Sequence, residues 1–441
     1  MADATTPETV TNTRVLKIAL PIVLSNVTIP ILGAVDTGVV GQMGEAAPIG
    51  AVGLGAIILS AIYWIFGFLR MGTTGLAAQA LGQGGRAEVA ALLTRVLLIA
   101  FSAGSVIILL KLPIIWAAFQ IAPASAEVEA LARGYMSIRI WSAPAAIAVL
   151  GITGWLIAQE QTRAVFILQL WMNGVNVVLS IWFVLGLGWG VNGVAFATFL
   201  AEWGGLAMGL YLCRAAFKVP DWRNWVRVFD RLKLLRMARV NSDILVRSLL
   251  LETNFLSFMF FAADFGDVTL AANQILLQFL YITAYALDGF AFSAEAIVGQ
   301  AVGAKAVPTL RRAAWVSSVW GLGASVFLAL GFWVFGPQII DLMAKNVGVQ
   351  DAALSYLPWL VLAPLIALGS FMFDGIFVGA TRTADMRNMM VVSFVIYVAA
   401  VIALVPAFGN HGLWMAMLIS FIARGATLAA RYPALERSVM A

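Results

Sequence analysis

Long apolar stretches dominate the chain, and short polar segments separate them. A helix needs about 20 mainly apolar residues to cross a bilayer, and twelve stretches meet that requirement. They lack the alternation of apolar and polar positions typical of a membrane barrel, so an all-α polytopic membrane protein with twelve transmembrane helices is predicted. The predicted spans lie near residues 15–41, 50–80, 88–117, 128–157, 164–187, 193–214, 243–264, 269–299, 313–340, 354–379, 388–408 and 412–432.

The composition agrees with a protein that lies mostly within a bilayer. Of 441 residues, 62% are hydrophobic and 11% are charged, whereas soluble domains carry about 25% charged residues. The single cysteine and single histidine exclude a disulfide framework, a Cys/His zinc centre and an iron–sulfur cluster. The net charge of +5 is small for this length, so nucleic acid is not an expected partner. No cluster of catalytic residues is found at one membrane face, so no enzymatic activity is predicted.

Lysine and arginine mark one side of the predicted bundle. Every second loop is basic, and so are the regions beside both termini, whereas the other loops carry mostly acids. By the positive-inside rule, both termini are predicted to be cytoplasmic. Residues 1–13 are polar, with no base before Arg14, and we expect a disordered cytoplasmic tail there rather than a signal peptide.

One sizeable polar segment divides the twelve spans into two sets of six. Residues 218–239 carry seven lysines and arginines, interleaved with Trp, Val, Phe and Leu. This pattern is typical of a basic amphipathic helix at the cytoplasmic face. We expect a linker at 218–240 that rests on anionic headgroups, with regulation or partner docking as the alternative. The linker separates an N-lobe at 14–217 from a C-lobe at 241–441.

The two predicted lobes share sequence features at corresponding positions. At an offset of 221 residues, the motif QALG at 79–82 corresponds to QAVG at 300–303, and Gly154 corresponds to Gly375. Because six spans return the chain to its starting side, the two halves have the same topology. We therefore expect two pseudo-symmetric six-helix bundles related by an axis along the membrane normal, an arrangement suited to alternating access.

Asp36 is a charged residue within an apolar span. An ionisable side chain at membrane depth costs on the order of a few kcal/mol unless it is paired or neutralised, and so indicates function by default. Asp36 is a candidate for proton exchange; the alternative is a hydrogen-bonded carboxyl without a transport role. Pro21 in the same span removes a backbone donor, which permits bending or produces only a static kink.

Polar residues on the fifth and sixth spans are candidate partners of Asp36. Asn173, Asn176 and Ser180 lie at helical spacing and so can share one face. Thr198 follows in the next span. These groups are suited to hold a proton or a small cation beside Asp36; ordinary interhelical hydrogen bonding is the alternative.

Further carboxyls lie in apolar surroundings in the second half, namely Glu252, Asp288, Glu295 and Asp374. Four such groups in one bundle cannot all face lipid, so an acidic lining is predicted. It would favour cationic substrates or supply a second proton site, and purely structural pairing is the alternative. Charged residues also lie within predicted spans of the first half, namely Arg70, Arg139 and Glu202. We expect them to pair with opposite charges and stabilise the fold rather than contact substrate.

The motifs that punctuate the spans resemble those of the multidrug and toxic compound extrusion (MATE) family, in particular its DinF-like branch. The resemblance covers nearly the whole chain and is carried by Pro21 with Asn26 and Asp36, by GWGVNG at 188–193, by DGFAF at 288–292 with Glu295, and by DGIFVGATRT at 374–383 with MRN at 386–388. It implies an efflux antiporter of a bacterial inner membrane that exchanges an organic, often cationic, compound for protons or sodium. It also implies no cofactor, small organic cations and membrane lipid as partners, and a monomer.

The resemblance assigns roles to individual residues. It implies that Asp36 is the coupling carboxylate of the amino half, with Asn176 and Thr198 in its network. Some relatives carry a second carboxylate four residues after the asparagine, where this chain has Ser180. This departure favours protons, with protonation of Asp36 letting the first helix bend at Pro21 as substrate leaves. A sodium-coupled antiporter and a lipid-linked precursor flippase are the alternatives, although a flippase would need a cavity rich in Arg and Lys, and few deep bases are evident.

Overall fold

The computed structural model describes residues 9–121 and 124–440, which form sixteen α-helices and no strand. Positions 1–8 of the predicted tail lie outside the described residues, and the first helix begins within the predicted tail. The helices are α1 (Asn12–Gly41), α2 (Ala46–Trp64), α3 (Gly67–Gly82), α4 (Arg86–Leu109), α5 (Lys111–Ile121), α6 (Ala126–Arg139), α7 (Ala143–Ala158), α8 (Thr162–Ile181), α9 (Gly190–Leu212), α10 (Trp225–Val228), α11 (Arg231–Ala263), α12 (Asp267–Gly303), α13 (Val307–Met343), α14 (Val347–Gly379), α15 (Thr383–Phe408) and α16 (Asn410–Met440).

Twelve helical runs within the described residues are long and apolar enough to cross a membrane. Two of these runs contain two helices each, because α2 and α3 form Ala47–Gly82, and α6 and α7 form Ala126–Ala158. Each predicted span coincides with one of the twelve runs, which confirms the all-α, twelve-helix fold class. Lipid offers no hydrogen-bond partner to the backbone, so each apolar stretch satisfies its own peptide groups by forming a helix.

The third span ends earlier than predicted. Helix α4 stops at Leu109 and a separate helix, α5, begins at Lys111. Pro113 has no backbone N–H, so it cannot give the carbonyl of Leu109 the hydrogen bond that would continue α4. The apolar pattern runs on across this break, which is why the sequence predicted one span over 88–117.

The linker is not one amphipathic helix over 218–239. It consists of short turns, the single helical turn α10 and the beginning of α11 at Arg231. Asp230 caps α11, because its Oδ1 accepts hydrogen bonds from the backbone N–H groups of Leu232 (3.0 Å) and Lys233 (3.2 Å). The seventh membrane helix therefore begins before its predicted start, with basic residues in its first turns.

Side chains of α4 hold the linker. Arg95 donates to the backbone carbonyls of Arg227 (2.5 Å) and Val228 (2.8 Å) at the end of α10. Glu88 accepts a hydrogen bond from Arg95 (2.6 Å) and forms an ion pair with Lys233. Part of the positive charge of the linker is thus neutralised by the protein itself.

Contacts between helices divide the described chain into two compact units. The first comprises residues 9–23, 74–84 and 236–440, and the second comprises 24–73 and 85–235. The units differ from the predicted lobes, because the start of α1 and the end of α3 pack with the helices of the second half. Glycine permits this packing: a Cβ on Gly82 would lie 2.0 Å from the backbone oxygen of Gln300. The lobe boundaries themselves stay a prediction.

Helices α12 and α14 pack backbone to backbone in the first unit. A Cβ on Gly375 would lie 2.3 Å from the carbonyl oxygen of Ala291, and one on Gly379 would lie 2.3 Å from that of Glu295. Only glycine allows so close an approach. It brings the stretches that carry Glu295 and Asp374 against each other.

Candidate functional site

Asp36 lies at one end of a chain of polar side chains in the second unit. Its Oδ1 accepts a hydrogen bond from Ser180 Oγ (3.3 Å). Ser180 Oγ also lies 3.4 Å from Asn176 Oδ1, and Asn176 Nδ2 donates to Thr198 Oγ1 (2.7 Å). The structure therefore brings together the four residues predicted as a coupling group, from helices α1, α8 and α9.

The hydroxyl of Ser180 connects the two parts of this chain. A serine hydroxyl has one proton to donate, and both Asp36 and Asn176 present an acceptor oxygen to it. Asn176, Ser180 and Thr198 are buried, whereas Asp36 is half-buried. The three partners are neutral, so none of them is a counter-ion for Asp36. A half-buried carboxyl in such surroundings can bind and release a proton.

A second polar contact joins α1 to α8. Asn173 Nδ2 donates to Thr28 Oγ1 (2.7 Å), and Asn173 Oδ1 accepts from Gln169 Nε2 (3.0 Å). Sequence reasoning had no signal for Thr28, because a threonine in an apolar helix usually bonds its own backbone, as Thr28 also does with Ser25 O (2.7 Å). Helix α1 is therefore hydrogen-bonded to α8 at two positions, Thr28 and Asp36.

Pro21 lies near the point where α1 changes unit. The helix belongs to the first unit up to Val23 and to the second unit from Leu24 onward. Proline has no N–H to donate to the preceding turn, so α1 lacks a backbone hydrogen bond at Pro21, as it also does at Pro30. The predicted bending position and the change of packing partner thus fall within three residues of each other.

A buried ion pair lies one turn along α9 from Thr198. Arg139 Nη2 donates to Glu202 Oε1 (2.9 Å), and the two side chains are 10% and 13% exposed. Arg139 Nη1 also lies 3.4 Å from the hydroxyl of Tyr135. The structure therefore pairs Arg139 with Glu202, in line with the expected stabilising role.

Asp374 is held by two arginines in the first unit. It forms an ion pair with Arg247 of α11, and Arg424 Nε of α16 lies 3.6 Å from its Oδ2. Arg424 also donates to Ser370 Oγ (2.9 Å). All three charged side chains are buried, so the carboxylate of Asp374 is already neutralised. This contact favours the structural alternative for Asp374 over an open acidic lining.

The other predicted carboxyls of the second half occupy different levels of burial. Glu252 on α11 and Asp288 on α12 are half-buried, and Glu295 on α12 is buried. Asp288 interacts electrostatically with Arg424. Among the residues that the structure describes, no three His, Cys, Asp or Glu side chains form a group that could hold a metal ion.

The structure buries more arginines than the sequence pattern predicted. Arg139, Arg247 and Arg424 are all less than 10% exposed, although few deep bases were expected. Each of them lies within a stretch that hydropathy assigned to a span or to its edge, and each contacts a carboxylate. The available signal for Arg424 was a charge in the middle of the apolar stretch 412–432, whereas Arg431 lies at its end.

Known proteins with similar sequences and structures agree with this architecture. The sequence profile of the MatE family matches residues 21–182 and 244–403. The chain is 39% identical to the DNA damage-inducible protein F of Escherichia coli over 94% of this chain and 90% of that protein. It is 24% identical to the multidrug resistance protein NorM of Aliivibrio fischeri over 78% and 75% of the two chains.

A solved structure gives the same result for the fold. The crystal structure of the Vibrio cholerae MATE transporter VcmN in the bent form covers 97% of both chains with a TM-score of 0.86, at 18% sequence identity. At that identity the likeness shows the fold alone. The profile match and the identity to the Escherichia coli protein show more than the fold. The chain is therefore a multi-pass membrane protein that belongs to the MatE family, the multidrug and toxic compound extrusion transporters.

Proposed function

We propose that the protein exports organic cations across a bacterial inner membrane in exchange for protons, by alternating access, with both termini in the cytoplasm. The observation that carries the proposal is the contact of Asp36 with Ser180 at the end of a buried polar chain. Relatives named as multidrug resistance proteins support efflux as the direction of transport. Basic loops beside both termini support the orientation.

Protons are proposed rather than sodium because of the groups around Asp36. A sodium ion in a protein site needs several oxygen ligands and sufficient negative charge. Of the four residues in the polar chain only Asp36 can carry a negative charge, and Asn176 directs its amide nitrogen to Thr198. A proton needs only the one carboxylate.

Protonation of Asp36 would act through the hydroxyl of Ser180. Ionised Asp36 is the stronger acceptor and takes the hydrogen bond from Ser180, whereas neutral Asp36 releases that hydroxyl to Asn176. One of the two attachments of α1 to α8 is thereby weakened. Because α1 lacks a backbone hydrogen bond at Pro21, the segment beyond it can bend and change the cavity that holds the substrate. Proton and substrate then compete through one two-state helix.

Transport in proteoliposomes tests the coupling ion. Ethidium serves as the organic cation, and an imposed pH gradient is compared with an imposed sodium gradient of equal driving force in the wild type. We expect the pH gradient to drive ethidium movement and the sodium gradient to leave it at the level of protein-free liposomes. Movement driven by sodium alone would contradict proton coupling, and the absence of ethidium movement with either gradient would favour a flippase.

A further inference from the structure

The ion pair of Arg139 and Glu202 is incompletely satisfied. Arg139 Nε and Glu202 Oε2 are buried without a hydrogen-bond partner. Arg139 also interacts electrostatically with Asp36, whereas its hydrogen-bonded ion pair is with Glu202. Glu202 follows Thr198 by four residues on α9, which places it on the same helix face as the polar chain of Asp36. Unsatisfied buried groups of this kind need a reason for being there.

The charged and titratable groups around this site come from four helices. Asp36 of α1 interacts with Arg139 and Tyr135 of α6. Tyr63 of α2 and Glu202 of α9 interact with Arg139 in turn. Helix α8 contributes only neutral groups, Asn176 and Ser180, to the polar chain. Arg139 is the positive charge that these groups share.

We propose that Arg139 is a positioning residue for transport, which divides its charge between Glu202 and Asp36 and so sets the pH range of proton exchange. The proposal rests on the coupling role of Asp36 proposed above. When Asp36 is ionised, it draws the guanidinium away from Glu202. When Asp36 is protonated, the pair of Arg139 with Glu202 is restored to full strength.

Opposite substitutions in the pair should shift the pH dependence in opposite directions. Ethidium transport driven by a pH gradient is measured against pH for Glu202→Gln, Arg139→Gln and the double variant. We expect Glu202→Gln to lower the pH of half-maximal transport by about one unit, because the guanidinium then acts on Asp36 alone. Arg139→Gln should raise it by a similar amount, and the double variant should lie near the wild type.

The double variant also protects the test against misfolding. A single substitution removes one partner of the buried ion pair, whereas the double variant removes both of its charges. If Arg139→Gln does not fold, Glu202→Gln is compared with the double variant and should still show the lower midpoint. Equal or unshifted midpoints would overturn the role of Arg139 and leave the role of Asp36 standing. Absence of pH-driven transport in the wild type would instead contradict the proposed function.

A second, independent observation concerns the sequence repeat. The motifs QALG at 79–82 and QAVG at 300–303 meet where the ends of α3 and α12 cross in the first unit. A Cβ on Gly82 would lie 2.0 Å from the carbonyl oxygen of Gln300, and one on Gly303 would lie 2.1 Å from that of Gln79. The glycine of each motif contacts the glutamine of the other motif, so the two contacts are equivalent. The repeat therefore forms a symmetric crossing of α3 and α12.

Two arginines bind the glutamines at this crossing, and their two contacts are also equivalent between the sequence halves. Arg14 Nη2, near the start of α1, donates to Gln300 Oε1 (3.0 Å). Arg236 Nη2, near the start of α11, donates to Gln79 Oε1 (2.6 Å). Each arginine begins the first span of one sequence half and binds the repeat glutamine of the other half. Gln79 Nε2 further donates to the carbonyl of Gly379 (3.1 Å).

We infer that these two arginine–glutamine contacts form a clamp that keeps the ends of α3 and α12 together, and that loss of the clamp lets this end of the first unit open. Hydrogen bonds that involve a charged group each contribute roughly a factor of ten or more to an equilibrium. The two contacts act on one crossing, so their contributions combine. Removal of both arginines should therefore expose the crossing without loss of the fold.

Thiol labelling measures the opening of the clamp directly. Ala80, within the first motif, is 6% exposed and is replaced by cysteine in a Cys213→Ala background. We expect a membrane-permeant maleimide to label it about 100-fold faster in the variant carrying Arg14→Gln and Arg236→Gln, and about tenfold faster in each single variant. This readout needs no substrate, no gradient and no coupling ion.

Two controls separate opening of the clamp from general loosening. Arg311 pairs with Glu436 in the same unit, and this ion pair includes no residue of either motif, so Arg311→Gln should leave the labelling rate unchanged. Ala416 is fully buried in the core of that unit, so a cysteine there should stay protected in every variant. An unchanged rate at position 80, or an equal rise at position 416, would overturn the clamp.

Discussion

Asp36→Asn is expected to reduce gradient-driven ethidium transport by about 100-fold in proteoliposomes. Asparagine keeps the size of the side chain and can still accept the hydrogen bond from Ser180 (3.3 Å), but it has no proton to exchange. The two states of α1 then no longer differ in charge, so a pH gradient has no means of favouring either one. Initial rates at fixed pH gradient measure the effect.

The matched control for this substitution is Asp351→Asn. Asp351 is exposed near the start of α14, so the same change of charge there should leave the transport rate within about twofold of the wild type. The melting temperature of Asp36→Asn in detergent should stay close to that of the wild type, because Arg139 keeps its ion pair with Glu202 (2.9 Å). Full pH-driven transport by Asp36→Asn would contradict the coupling role.

Asp374→Asn is expected to lower the free energy of unfolding by about 3–5 kcal/mol, the usual cost of removing one partner from a buried ion pair. Arg247 and Arg424 both contact the carboxylate of Asp374, so its loss leaves two buried guanidinium groups facing each other. The melting temperature of the purified protein in detergent, followed by circular dichroism, measures the change.

Arg247→Met is the matched comparison for Asp374→Asn. It removes one positive charge and leaves Asp374 with Arg424, whose Nε is 3.6 Å away. One negative and one positive charge then remain, so the loss of stability should be clearly smaller than for Asp374→Asn. A larger loss in Arg247→Met would show that Asp374 is not the centre of this cluster.

The number and the chemistry of the helices follow from the sequence. Twelve apolar stretches become twelve membrane-crossing runs, because lipid leaves the backbone no alternative to internal hydrogen bonds. The shared helix face of Asn176 and Ser180 also follows from the sequence, since the two residues lie one turn apart on a helix. Both results depend on local periodicity, which is a property of consecutive residues.

Contacts between residues far apart in the chain do not follow from local periodicity. The sequence offered Asp374 as part of an acidic lining, and the structure surrounds it with Arg247 and Arg424 from two other helices. Charge balance at a buried position depends on which helix faces approach one another, and that choice is made by packing over the whole bundle. Apolar pattern alone does not encode it.

The repeat motifs likewise combine features that the sequence determines with contacts that only the folded structure determines. The sequence by itself determined that the two halves carry equivalent glycines and glutamines. It also determined that twelve stretches are long and apolar enough to cross a membrane, with Asp36 in the first of them. Only the tertiary structure decided that Gly82 and Gly303 meet each other's motif, and that Arg14 and Arg236 reach across to the opposite glutamine. The reason is that a helix specifies its own hydrogen bonds, whereas close approach between helices depends on the fit of two surfaces far apart in the chain.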